Sequence, residues 1–190
     1  ALPEVCLPSN GPLFRMCVAA QLPTHAITFR HFRRTINPFV LAGQIYAIYK
    51  TSQQICALCL EKRFHMLHAN TDTAAIAAWE TSRTIGIPFV WHCRDMRPMH
   101  GFARILGRQA SAVVAISGAV EEHLLKEGVK PDKIKRINNG IDLSRLIAPE
   151  DHAAARSRAR AKLGIDDTRM VALSIGAFVP WKKHEMFIET

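Results

Sequence analysis

The sequence predicts an α/β protein built on a doubly wound, Rossmann-like parallel sheet. Three observations carry this. Short apolar segments alternate with helical patterns for six rounds. Several of those segments are apolar without a polar alternation, as strands covered on both faces are. Residues 112–142 spell strand, helix, turn, strand and tight turn, which is one βαβ unit. Right-handed crossovers then wind such units into one sheet.

The elements follow in order. Val5-Cys6-Leu7 reads as a short buried strand, closed by Pro8-Ser9-Asn10-Gly11-Pro12. A helix over Leu13–Ala20 and a strand over Ala26–Phe29 come next. Asn37-Pro38 opens a long helix, with Asn37 as N-cap and Pro38 at the first helical position. Phe39, Ile45, Ile48, Ile55 and Leu58 keep a helical period along it. Met66–Ala69 is a strand, Asp72–Ile85 an alanine-rich helix, and Gly86-Ile87-Pro88 its stop. Pro88–Cys93 is a strand and Gly101–Arg108 a helix. The strand Ala112–Ile116 ends at Ser117, and Val120, Leu124 and Leu125 line one face of the helix after it. A Lys-Pro-Asp turn leads to the strand Ile134–Ile137 and then to Asn138-Asn139-Gly140-Ile141-Asp142, where Gly140 is expected at positive φ and Asp142 as a cap. Residues 1–146 read as one Rossmann-like domain and 147–169 as a linker with a charged helix. Residues 170–190 read as the start of a second α/β domain whose strand is Met170–Ile175.

The chain has 190 residues, a hydrophobic fraction of 48% and a formal net charge of +9. It is large enough to bury a core. The basic residues lie in clusters, such as Arg30-His31-Arg33-Arg34, Arg94/Arg97 and Lys133/Lys135/Arg136. Such a surface suits phosphates or an anionic membrane. Aromatic residues do not interleave with it as single-strand binding requires, so no nucleic-acid partner is expected. Five cysteines with no framework spacing suit a reduced, cytoplasmic chain. Cys56 and Cys59 form a CxxC inside a helical pattern with no second ligand pair, which favours packing over metal or redox chemistry. No segment approaches the roughly 20 apolar residues of a membrane span. There is no GxSxG elbow, HExxH, Walker loop or GxGxxG.

Candidate site residues stand at strand ends, the edge where open α/β sheets bind ligands. Pro88–Met96 brings His92, Arg94 and Asp95 to one such end. His92 can donate a hydrogen bond to a bound ligand, and Arg94 can pair with Asp95 or with an anionic ligand. His68-Ala69-Asn70-Thr71-Asp72 ends another strand. Asn70 and Thr71 can face the cleft, and Thr71 or Asp72 can equally cap the next helix. Ser174–His184 sets Gly176 before Lys182 and Lys183 at a helix start, a phosphate-cradle arrangement. Ser117, Asn139 and Gly140 complete the candidate cleft residues. No metal ligand set is present in the sequence.

The run from Ala110 to Leu146, with Val129-Lys130-Pro131-Asp132-Lys133-Ile134 and Asn139-Gly140-Ile141-Asp142, resembles the end of the N-terminal domain in nucleotide-sugar glycosyltransferases of the GT-B fold, family 4. Asn138 stands where the family usually has Pro. Trp91-His92-Cys93-Arg94-Asp95 resembles the family's "vwHvRD", and Leu67–Asn70 resembles "DIVHAN" more loosely. The resemblance implies that His92 orients the donor sugar, that Arg94 and Asp95 line the cleft, and that Lys182 grips the donor diphosphate without a metal. Ala177 stands where the family has Arg, and Lys183 where it has Gly. Either Lys183 supplies the second charge, or donor binding is weaker, or the register differs.

The implied protein is a fragment of a retaining hexosyltransferase: nucleotide sugar as donor, no cofactor, and a glycan or lipid acceptor at the inner face of the membrane. These residues alone are not expected to turn over. A non-catalytic, degenerate binding module is the alternative, and a different enzyme on the same sheet is another. The resemblance also implies a strand before Ala1 in the middle of the sheet. That slot is expected to be filled by further chain, by rearrangement, or by a strand such as Met170–Ile175 from a second copy in a strand-exchanged oligomer.

Overall fold

The computed structural model describes residues 3–8, 11–29, 35–146 and 148–189. The expected turn at Ser9-Asn10 and the basic cluster Arg30–Arg34 lie outside the described residues. Contacts divide the chain into two compact units, Ala1–Gly140 and Ile141–Thr190.

The first unit alternates strands and helices: β1 (Val5–Pro8), α1 (Pro12–Ala19), β2 (Thr24–Ile27), α2 (Pro38–Lys62), β3 (Leu67–Ala69), α3 (Asp72–Ile85), β4 (Phe89–Cys93), α4 (Phe102–Gln109), β5 (Ala112–Ala115), α5 (Gly118–Lys126) and β6 (Ile134–Arg136). All strand pairs are parallel. They form two sheets, β1-β2 and β3-β4-β5-β6. Among the described residues no strand joins β1 to β3, so one edge of each stays unpaired. The incomplete sheet expected from the sequence is therefore observed.

Local chemistry sets the element ends. Asn37 Oδ1 accepts from the backbone N–H of Phe39 at 3.0 Å and of Val40 at 3.3 Å, satisfying two free donors of α2. Thr71 and Ser117 cap α3 and α5 in the same way, accepting from Ala74 and Val120 at 3.2 and 3.3 Å. Gly86, at φ 75°, closes α3 in the left-handed conformation that a Cβ disfavours.

The core lies between the four-stranded sheet and the helices α3, α4 and α5. Phe89, Trp91, Leu106 and Val113 are fully buried there, with Ala75, Val120 and Leu124. Burial alternates along β4: Phe89, Trp91 and Cys93 are buried, whereas Val90 and His92 are half-buried. The sequence suggests equal cover on both faces, and the structure does not give it. A second cluster sets Ile55 and Cys59 of α2 against Ala77, with Ile27, Leu67 and Ile85 around it. Cys56 and Cys59 are buried in α2, and burial pushes the Cys59 thiol up to about 11.

The second unit holds α6 (His152–Leu163) and α7 (His184–Glu189). The strand expected over Met170–Ile175 is absent: the segment is irregular, and Met170 and Ile175 are almost fully exposed. An isolated strand has no partner for its amides and carbonyls, and no other strand exists among the described residues of this unit. The strand proposed for exchange between copies is thus not preformed. Gly140 is also corrected: it is not among the glycines at positive φ. The turn there is open, with nothing within 4 Å of a built Cβ, so no close approach demands glycine. Asp142 does cap, accepting from Ser144 N at 3.1 Å. Among the described residues no helix is long and apolar enough to cross a membrane.

Candidate active site

The carboxyl ends of β3 and β4 carry the site. Parallel pairing sets Leu67 against Phe89 and His68 against Val90. His92 lies two places beyond Val90, so it shares the face of His68. The two rings meet: His68 Nε2 and His92 Nδ1 are 3.1 Å apart, and the ring planes differ by 8°. The opposite nitrogen, His92 Nε2, is buried and has no hydrogen-bond partner among the described residues. Burial first, then the neighbouring His68 and Arg94, hold His92 below the usual imidazole range. A neutral ring with one satisfied nitrogen and one buried, unused nitrogen is suited to hydrogen-bonding a ligand.

The other face of the same strand ends is acidic and partly buried. Asp72 begins α3, and its carboxyl is raised, by burial first and by Asp95 next. Arg97, His123 and the Trp91 indole act in the opposite direction. The Trp91 indole nitrogen approaches Asp72 without reaching hydrogen-bond geometry, and one Asp72 oxygen is left without a partner among the described residues. Burial, with Asp72 close by, pushes the Cys93 thiol up to about 12. The end of α5 ties down the loop after β4. His123 Nε2 lies 3.1 Å from the Arg97 carbonyl, and Glu127 Oε2 accepts from the N–H of Met99 and Gly101 at 3.2 and 3.4 Å.

Each residue expected from the sequence has a definite place. Arg94 and Asp95 are exposed just beyond β4, and no ion pair joins them. Asn70 is exposed at the end of β3. Thr71 and Ser117 serve as helix caps. Asn139 and Gly140 are exposed at the end of the first unit. In the second unit the structure brings Gly176, Lys182 and His184 together. A Cβ built on Gly176 would meet the His184 ring at 3.4 Å and Lys182 Cδ at 3.7 Å. His184 Nε2 is 3.0 Å from the Ala177 carbonyl, and Ser174 Oγ is 3.3 Å from its Nδ1. Lys182 ends a 3-10 turn over Pro180–Lys182, and Lys183 follows at φ 52°. Sequence reasoning missed His68, although it lies inside the quoted strand-end motif. Its signal was a second histidine at the carboxyl end of a strand.

The model of Glycosyltransferase Family 4 matches residues 6–145. The chain belongs to Glycosyltransferase Family 4. A curated relative in Streptomyces coelicolor, UDP-N-acetylglucosamine–N-acetylmuramyl-(pentapeptide) pyrophosphoryl-undecaprenol N-acetylglucosamine transferase, is 35% identical over 104 residues, which is 54% of this chain and 25% of that protein. Among solved structures, Anabaena Alr3699/HepE in complex with UDP and glucose superposes with a TM-score of 0.70 at 22% identity, over 98% of this chain and 49% of that one. A glycosyltransferase from Rickettsia africae superposes with a TM-score of 0.64 at 18% identity, over 99% and 48%. The family member described here thus spans about half of each solved structure. Its fold is the Rossmann-like α/β arrangement of GT-B glycosyltransferases.

Proposed function

We propose that the chain forms the acceptor-side part of a retaining hexosyltransferase that moves a sugar from a nucleotide sugar to a lipid-linked or glycan acceptor at the cytoplasmic face of a membrane. The single observation that carries this is the His68–His92 pair, with the buried Nε2 of His92 unpartnered, at the carboxyl ends of β3 and β4. Family membership supports transfer chemistry. UDP and glucose in the Anabaena structure support a uridine-linked hexose donor, and the printed substrate of the Streptomyces relative supports a lipid-linked acceptor.

In this reading the anomeric carbon–oxygen bond to the donor phosphate breaks, a bond to the acceptor oxygen forms, and the acceptor's hydroxyl proton passes to the leaving diphosphate. When His68 donates to Nδ1, His92 carries its proton on Nε2 and donates to a donor-sugar hydroxyl. Arg94 and Asp95 border the acceptor. Lys182, beside Gly176, neutralises charge growing on the leaving diphosphate, with Lys183 as the second cation and no metal. The basic composition favours peripheral attachment to anionic lipid.

The test is sugar transfer by the gene product that contains this chain, with UDP-glucose and UDP-N-acetylglucosamine, reading product and anomeric configuration by NMR. Transfer with retention, lost on His92→Ala, is the expected result. Inversion, or full transfer by His92→Ala, sinks the reading. Ala177 in place of a second cation favours one other reading, a binding module without catalysis. It requires donor binding with no turnover.

A further inference from the structure

The loop of residues 94–101 begins two places after His92 and ends at the N-cap of α4. Its shape runs against local preference. His100 and Gly101 lie in succession at φ 50° and 82°. That conformation is costly for a residue with a Cβ and persists only where the surroundings impose it. Gly101 also gives α4 no side-chain cap. The free donors at that helix end need an acceptor from elsewhere in the chain.

Glu127 supplies that acceptor. Its Oε2 accepts from Met99 N at 3.2 Å and from Gly101 N at 3.4 Å. One turn earlier on α5, His123 Nε2 lies 3.1 Å from the Arg97 carbonyl. Residues four apart share a helix face, so α5 presents both groups to the same loop. At the start of the loop the Cys93 thiol donates to the Asp95 carbonyl at 3.3 Å. The backbone is thus held at Asp95 and again at Arg97, Met99 and Gly101, while the Arg94 and Asp95 side chains stay exposed. Glu127 is the C-cap of α5, where the helix dipole disfavours a carboxylate. Among the described residues its side-chain hydrogen bonds go to the loop and no ion pair engages it. A carboxylate that its own helix end disfavours, bonded to a loop beside His92, acts on that loop.

We propose that Glu127 is a positioning residue for the transfer site: from the end of α5 it fixes the 94–101 loop and so holds Arg94 beside His92. The charged and titratable groups that act on His92 are His68 of β3 and Arg94 of this loop. The Arg94 charge opposes a proton on the imidazole, so a fixed Arg94 keeps the ring neutral. The hold on the loop needs no transfer chemistry; its consequence for turnover rests on the transferase reading.

The experiment first reads the His92 pKa in the 190-residue chain by 15N NMR, with Arg94→Gln as the reference. Arg94→Gln should raise that pKa. Glu127→Asp keeps the charge and loses the reach, and Glu127→Ala loses both. Each should raise the His92 pKa toward the Arg94→Gln value and speed exchange of the Met99 and Gly101 amides at least roughly tenfold. Glu127→Gln keeps an acceptor of the same reach and should match wild type. Glu127→Asp added to Arg94→Gln should move the pKa no further. The second reading is turnover of UDP-glucose and UDP-N-acetylglucosamine by the gene product that contains this chain. Glu127→Asp should lower kcat at least roughly tenfold with the donor KM within about twofold of wild type, and Glu127→Gln should restore kcat. A His92 pKa that is unchanged or lowered in Glu127→Asp and Glu127→Ala overturns the proposal, because a carboxylate acting through its charge alone gives that sign. A wild-type kcat in a variant whose loop amides have lost protection overturns it too. Absence of wild-type turnover sinks the transferase reading and leaves the NMR result to decide the hold on the loop.

Discussion

His92 is held neutral by its surroundings, and this has a direction in pH. A histidine whose folded pKa lies below its unfolded value binds fewer protons in the native state. Its contribution to stability is full above the unfolded value, roughly 6.5, and is lost as pH falls through that value toward the folded one. Wild type should therefore lose more melting temperature than His92→Gln between pH 8 and pH 5; parallel curves would contradict the burial argument. Burial is the largest cause and His68 the next, so His68→Gln should raise the His92 pKa in a 15N NMR titration. The thiols make a second test. Cys59 and Cys93, pushed up to about 11 and about 12, should resist iodoacetamide at pH 8 in the native chain, and all five cysteines should react in denaturant. At this scale His92 was legible because a histidine at a strand end is a recognisable pattern. Its partner was not, because the pairing depends on the register between β3 and β4, which no local pattern states.

Helix ends were the most legible elements. Asn37 and Thr71, both read as caps, carry a side-chain oxygen that can satisfy a free helix donor, and each does so; Ser117, read as a cleft residue, caps α5 in the same way. That chemistry is local, so it reads directly from neighbouring residues. The close contact of α4 with the segment after α5 is not local. A Cβ on Gly107 would meet Val129 Cγ1 at 2.8 Å and Cγ2 at 3.1 Å. Gly107→Ala should gain helix propensity yet destabilise by about 1–3 kcal/mol through overpacking. Urea denaturation checks this, and Val129→Ala in the same chain should recover part of the loss. A neutral or stabilising Gly107→Ala would mean that Val129 moves freely. The Met170–Ile175 segment shows the opposite limit: its apolar run satisfies a strand pattern, but a strand forms only where another strand accepts it.

The molecule divides into a unit with a core and a unit without one. Among the described residues every buried one belongs to Ala1–Gly140 and none to Ile141–Thr190. Hydrogen exchange should follow this division. Amides of β4 and β5, between buried Trp91 and Val113, should exchange slowest, and those of α6 and α7 within the fastest class; uniform protection across both units would contradict it. By itself the sequence determined the α/β class, the order of strands and helices in the first unit, the caps at Asn37 and Thr71, and His92 at a strand end. These depend on periodicity and on chemistry between close neighbours in the chain. Only the tertiary structure decided that the sheet splits between β1 and β3, that His68 meets His92, and that Arg94 and Asp95 stay apart. The physical reason is that these features join residues far apart in sequence, and their register, packing and burial exist only once the chain has folded.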